Sequence, residues 1–172
     1  ISFINFLSEK LSQTNSSKNS DLTNFNKLGD LGNIFPPPFE TDYSHIIFYG
    51  QSLSMGWEAH EAITTTPVDG TFMIGDRVWI NEGNNGAVSL SPLKASNGIN
   101  CKESPAVAAV HSLKKLLDRQ MPNNITDLIA TNCGQGGKSI EKLSKENTNG
   151  ANYYSVLFET AIQRAKTIAD NN

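Results

Sequence analysis

Two short segments hold the residue types that acyl transfer needs. The first, Gly50-Gln51-Ser52-Leu53-Ser54-Met55-Gly56-Trp57, follows the apolar run His45-Ile46-Ile47-Phe48-Tyr49. A serine just past a buried strand, with glycine before it, can present its hydroxyl at the rim of a sheet as a nucleophile. The second, Asn132-Cys133-Gly134-Gln135-Gly136-Gly137-Lys138-Ser139-Ile140, closes a run that begins at Asp127. Glycines at such a place let backbone N–H groups approach a developing negative oxygen. A nucleophile on one loop and oxyanion donors on the next are what acyl transfer requires. Ser54 is the other hydroxyl of the first segment, but it stands two residues farther from the strand end.

The remaining candidates are weaker. Asp42-Tyr43-Ser44-His45 sets a carboxylate and a histidine near each other, yet His45 lies seven residues before Ser52 along an extended run. At ~3.3 Å per residue that is ~20 Å, whereas a general base must come within ~3 Å of the hydroxyl or act through one water. His45 is therefore excluded as the base. His111 falls one helical turn after Val107 and reads as a histidine at the edge of the core. His60 follows Trp57 and Glu58 in the loop after Ser52 and is a candidate substrate contact, while Trp57 either stacks on a substrate or covers the core. Glu103 precedes a capping serine and is expected to answer the positive end of a helix. Gly137-Lys138-Ser139 invites a phosphate-loop reading, but that motif needs a glycine where Asn132 stands. Cys101 and Cys133 make no disulfide framework, and no Cys/His cluster has zinc-ligand spacing; acyl transfer by a serine needs no metal or organic cofactor, and none is expected.

These loops need a scaffold, and the 172 residues supply the pattern of one. The two apolar runs suit strands buried on both faces of a parallel sheet. Thr71 to Ile80 and Ala87 to Leu93 flank Asn81-Glu82-Gly83-Asn84-Asn85-Gly86 and predict a β-hairpin, read as an insertion. Ser104-Pro105 predicts a capped helix running to about Gln120, with Val107, Val110, Leu113 and Leu117 inward. A last helix is expected over roughly Asn152 to Asp170, with Leu157, Ala161, Ala165 and Ile168 inward. Before Asp42 the chain divides differently: a short amphipathic helix over Ile1 to Gln13, a Ser/Asn/Lys-rich arm, then Phe35-Pro36-Pro37-Pro38-Phe39. Residues 1–41 thus read as an arm and residues 42–172 as the folded unit. The hydrophobic share of 38% is low for a domain of this size, in keeping with such an arm. A net charge of −3 argues against a nucleic-acid-binding stripe. No apolar run approaches the ~20 residues that cross a bilayer.

Gly50-Gln51-Ser52-Leu53-Ser54 resembles the nucleophile block of the SGNH (GDSL-like) hydrolases. It is nearest the carbohydrate O-acetylesterase and sialate-esterase-like branch, in which glutamine replaces the aspartate of the Gly-Asp-Ser-Leu pattern. Asn132 to Ser139 resembles that family's second block. The resemblance covers roughly Asp42 to Asp170. It implies a three-layer α/β/α, flavodoxin-like parallel sheet and an esterase acting on an O-acyl, most plausibly O-acetyl, group of a carbohydrate. Ser52 would be the nucleophile, the Ser52 and Gly137 amides the oxyanion donors with Gly136 next in line, and Gln51, Trp57 and His60 substrate contacts. The family's oxyanion asparagine and late Asp-x-x-His have no counterpart after Gly137. The chain is thus expected to be the N-terminal portion of the domain, with the histidine supplied by a C-terminal segment or a second polypeptide. A carbohydrate substrate favours an extracellular or cell-surface setting. The alternatives are a catalytically silent carbohydrate-binding module and, with less support, a nucleotide-binding protein.

Overall fold

The structure, a computed structural model, describes residues 42–57, 59, 61–80, 87–95, 103–123, 125–148 and 150–171. The expected N-terminal helix and Pro-rich arm, and His60 and Cys101, lie outside the described residues.

Strand β1 spans Tyr43–Phe48 and leads through Gly50 into the one-turn helix α1, Ser52–Met55. Strands β2 (Thr71–Ile74) and β3 (Leu90–Pro92) follow, then helix α2 (Pro105–Gln120) and strand β4 (Asp127–Asn132). A short helix α3, Ile140–Leu143, precedes a π-helical turn over Tyr154–Glu159, which runs into helix α4, Thr160–Asp170. The four strands form one sheet in the order β1-β4-β2-β3. β1 and β2 both run parallel to β4, and β3 is antiparallel to β2. The protein is therefore an α/β fold on a mixed, mostly parallel sheet.

Side-chain alternation along the strands explains the layers, because successive residues of a strand point to opposite faces. Met73, Leu128 and Ala130 pack with Val107, Val110 and Leu117 of α2, joined by Ile46 and Phe48. Their sequence neighbours face the other way: Ile74 and Ile129 meet Ile168 of α4, while Ile47 and Tyr49 join Cys133, Leu157 and Ala161. One helix covers each face, which makes three layers. Both faces being covered is the reason these strands are nearly continuous apolar runs. The start of α2 follows the expected chemistry, with the Ser104 hydroxyl accepting from the Ala106 amide at 3.2 Å and proline in the first turn. The π turn stacks Tyr154 on Phe158 at 4.8 Å between ring centroids, and Tyr49 meets the edge of the Tyr154 ring.

Two expectations are corrected. The segment read as an inserted hairpin is part of the main sheet: β2 pairs with β3 over only Phe72↔Pro92, Met73↔Ser91 and Ile74↔Leu90, and its other edge pairs with β4. The run breaks at Gly75, whose φ of 86° ends the strand before the exposed Asp76–Arg77 ion pair. Residues Val78 to Ile80 then return to the sheet, with Asn132 donating to the Val78 carbonyl and Ile80 to the Asn132 carbonyl. Burial of both faces of β2 decides its place, and a single sequence hides that behind a hairpin pattern. The strand order also departs from a flavodoxin-like 2-1-3 arrangement, since β4 rather than β1 lies between its two parallel neighbours.

Candidate active site

β1 and β4 pair in register from Tyr43↔Asp127 to Phe48↔Asn132, so both strands end at the same height. The pairing continues into the loops. The Cys133 amide donates to the Phe48 carbonyl at 2.7 Å and the Gln135 amide to the Gly50 carbonyl at 2.9 Å. This brings the serine segment and the glycine segment side by side at the carboxyl edge of the sheet, where open α/β sheets gather ligands.

Ser52 is the first residue of α1, half-buried, after an extended Gln51. A Cβ built on Gly136 would stand 3.8 Å from the Ser52 Cβ, so the two loops face one another at van der Waals distance across the serine. Gly137 has φ of 68°, and a Cβ there would meet nothing within 4 Å. Its backbone is thus open to solvent in a left-handed conformation that favours glycine. Among the described residues, none accepts a hydrogen bond from the Ser52, Gly136 or Gly137 amide. These donors remain available for an external acceptor.

The two serines of the first segment have different environments. The Ser54 hydroxyl donates to the Gln51 carbonyl at 2.6 Å and closes the turn. Among the described residues no side chain hydrogen-bonds the Ser52 hydroxyl. Gln51, expected as a substrate contact, has its Nε2 donating to the Lys138 carbonyl at 2.7 Å and ties the two loops together. Lys138 itself extends over the Tyr153 ring, 5.0 Å from its centroid.

Two histidines are described, and both have other partners. His45 sits near the start of β1, its Nε2 2.9 Å from the Thr131 hydroxyl, and burial lowers its pKa to about 4. His111 is buried on α2 with Nε2 3.0 Å from the Leu93 carbonyl, and burial lowers its pKa as well. Glu103, directly before the Ser104 cap, binds a loop. Its Oε2 accepts from the Ile63 and Thr64 amides, both at 2.9 Å, and its Oε1 from the Thr64 hydroxyl at 2.7 Å. Burial pushes its carboxyl up, but the bonds from Thr64 and Ile63 outweigh that and hold the pKa below the ordinary value. Gly56 ends α1 at φ of 75°, and a Cβ there would overlap the Glu103 carbonyl oxygen. An open groove of about 270 Å³ lies on this side, lined by Leu53, Gly56, Trp57, Ala59, Glu103 and Pro105. Leu53 and Trp57 stand out from its edge, 70% and 56% exposed.

The residue that sequence reasoning missed is Asn132. It is fully buried at the end of β4, and its carboxamide reaches Ser54, Ser104 and Gly134. A polar side chain closing an otherwise apolar strand was the available signal. Among the described residues no three His, Cys, Asp or Glu side chains gather in a way that could hold a metal ion. No described helix is long and apolar enough to cross a membrane.

No family model matches the chain, and no curated protein matches it. Among solved structures it is similar to an X-ray structure of a protein from Arabidopsis thaliana, with 15% identity and a TM-score of 0.43. The match covers 76% of this chain and 52% of that one, so the chain spans about half the length of that structure. A likeness of this size carries no argument about family or activity.

Proposed function

We propose that the chain carries the nucleophile and oxyanion loops of an SGNH-type serine esterase that removes an O-acyl group, most plausibly O-acetyl, from a carbohydrate. In this reading the Ser52 hydroxyl attacks the acyl carbon and gives its proton to a histidine. The Ser52 and Gly137 amides, with Gly136 beside them, receive the oxyanion. Collapse breaks the ester bond, and the sugar oxygen leaves with the proton from that histidine. Water then attacks the acyl-serine and releases acetate with Ser52 restored. The observation that carries the reading is the opposition of Ser52 and Gly136 across the ends of two adjacent parallel strands, where a Cβ built on the glycine would stand 3.8 Å from the Ser52 Cβ. It is further supported by the contrast between the Ser54 hydroxyl, bonded to the Gln51 carbonyl, and the Ser52 hydroxyl, which has no hydrogen-bond partner among the described residues. His45 and His111 hold other partners and His60 is read as a substrate contact, so the histidine is proposed to come from a further segment or a second polypeptide that completes the domain.

A second reading keeps the carbohydrate and drops the turnover. It rests on exposed Trp57 and Leu53 beside the open groove, since an aromatic face and an aliphatic neighbour suit a sugar ring. One experiment separates the two: p-nitrophenyl acetate and an acetylated glycan are offered to the complete protein, with the histidine-bearing segment or polypeptide present, as wild type, Ser52→Ala and Ser54→Ala. The esterase reading expects hydrolysis to vanish in Ser52→Ala and persist in Ser54→Ala. Hydrolysis indifferent to Ser52→Ala would sink it, and glycan binding without any hydrolysis would favour the second reading.

A further inference from the structure

We propose that Asn132 is a positioning residue that holds the Ser52 turn and the glycine loop in one fixed relation, an inference that rests on the esterase reading above. Asn132 is 0% exposed, and a carboxamide in a core is costly unless its donors and acceptor are engaged. Here they are. Its Nδ2 donates to the Ser54 carbonyl and, at 2.8 Å, to the Ser104 hydroxyl oxygen. Its Oδ1 accepts from the Gly134 amide at 2.8 Å. The Ser54 carbonyl can only accept and the Gly134 amide can only donate, so the partners fix which way the amide faces.

Those three partners belong to three pieces of the site. Ser54 is two residues after Ser52 in the same helical turn, Gly134 is two residues before Gly136, and Ser104 caps α2. The Gly134 carbonyl in turn accepts from Trp79 Nε1 at 2.9 Å. The loops pack closely at this point: a Cβ on Gly134 would collide with the Ser54 hydroxyl and with Met55. One planar group therefore braces the serine turn against the oxyanion donors from inside the core, beside the backbone pairing and the Gln51 clasp, without touching the reacting atoms. Misplacement by about 1 Å costs on the order of 100-fold in rate. Removing the carboxamide should accordingly act on kcat rather than on KM.

The test uses the protein with the segment or second polypeptide that supplies the histidine present, p-nitrophenyl acetate as substrate and ¹⁵N label on this chain. Asn132→Asp keeps the shape and the acceptor but loses both Nδ2 donors, and it sets a carboxylate against the Ser54 carbonyl. Asn132→Asp is expected to lower kcat about 100-fold with KM within about twofold. Helix α2 should keep its amide protection while the Trp79 indole and Gly134 amide resonances move. Protonation of the new carboxyl restores an O–H donor, so the ratio of variant to wild-type kcat should climb as pH falls. Asn132→Leu, which has nothing to protonate, should show no such climb. Should Asn132→Leu fail to fold, the pH response of Asn132→Asp alone decides. A wild-type kcat in Asn132→Asp, or a loss with no pH recovery, overturns the proposal. If wild-type hydrolysis proves independent of Ser52, the esterase reading fails, and the Trp79 indole becomes the arbiter. Its return towards the wild-type position as Asn132→Asp is acidified upholds the bridge, and an indole unmoved by the substitution overturns it.

Discussion

The Gln51 carboxamide donates to the Lys138 carbonyl at 2.7 Å, clasping the serine loop to the glycine loop on the solvent side. Asn132 joins the same two loops from below, inside the core. The exposed clasp should be worth about 1 kcal/mol. Gln51→Ala is expected to lower kcat on p-nitrophenyl acetate by about fivefold and the melting temperature by about 2–4 °C. Steady-state kinetics and a thermal melt check both parts.

Gly56 and Gly137 share a positive φ but differ in what surrounds them, which separates backbone strain from collision. Gly56→Ala adds overlap with the Glu103 carbonyl to the left-handed penalty and should cost more than about 2 kcal/mol in urea unfolding. Gly137→Ala meets open space, so only the penalty of about 1–2 kcal/mol applies. Equal losses at the two sites would contradict this account.

Burial makes acid stability depend on His45. Its folded pKa of about 4 lies below the ordinary 6.5, so between these values the unfolded chain binds more protons than the folded one. The stability from keeping it neutral is complete above pH 6.5 and falls away as pH drops through about 4. Glu103 acts in a lower window: its depressed pKa contributes stability above the ordinary 4.5 that is lost as pH falls further. Urea midpoints measured across pH should fall between 6.5 and 4 in the wild type. In His45→Gln that slope should be shallower, and in Glu103→Gln the loss should flatten below 4.5.

Trp57 is 56% exposed at the groove edge, so its loss should be felt by ligand rather than by fold. Trp57→Ala is expected to raise KM for an acetylated glycan about fivefold or more, consistent with loss of one stacking contact of about 1 kcal/mol. KM for p-nitrophenyl acetate should hardly change. Equal effects on both substrates would mean that Trp57 touches no sugar.

Leu128 is fully buried in the layer between the sheet and α2. Leu128→Ala should destabilise the chain by about 2–5 kcal/mol. Chemical denaturation provides the check.

What could be read from the sequence were the features set by near neighbours. The apolar runs before Gly50 and Cys133 became β1 and β4, and Ser104-Pro105 became the start of α2. The inward faces followed from periodicity, with Val107, Val110 and Leu117 of α2 and Leu157, Ala161 and Ile168 around α4 all buried. What could not be read depended on partners far along the chain. Asn132 meets Ser54 across 78 positions, and Glu103 binds Thr64 across 39. The place of β2 beside β4 is of the same kind, because a hairpin pattern fixes which strand lies on one edge and is silent about the other.

The in-step pairing of β1 with β4 couples the core to the chemistry. Each strand alternates between the α2 layer and the α4 layer, and each delivers its loop at a height set by its length. Losing one residue from β1 would turn Ile46, Ile47 and Phe48 to the wrong layers and draw Ser52 back by ~3.3 Å relative to Gly136. Variation along these strands is thus confined to exchanges of side chain at constant length. Insertions and deletions must be absorbed elsewhere, in segments such as 61–70 that join strands without setting their reach.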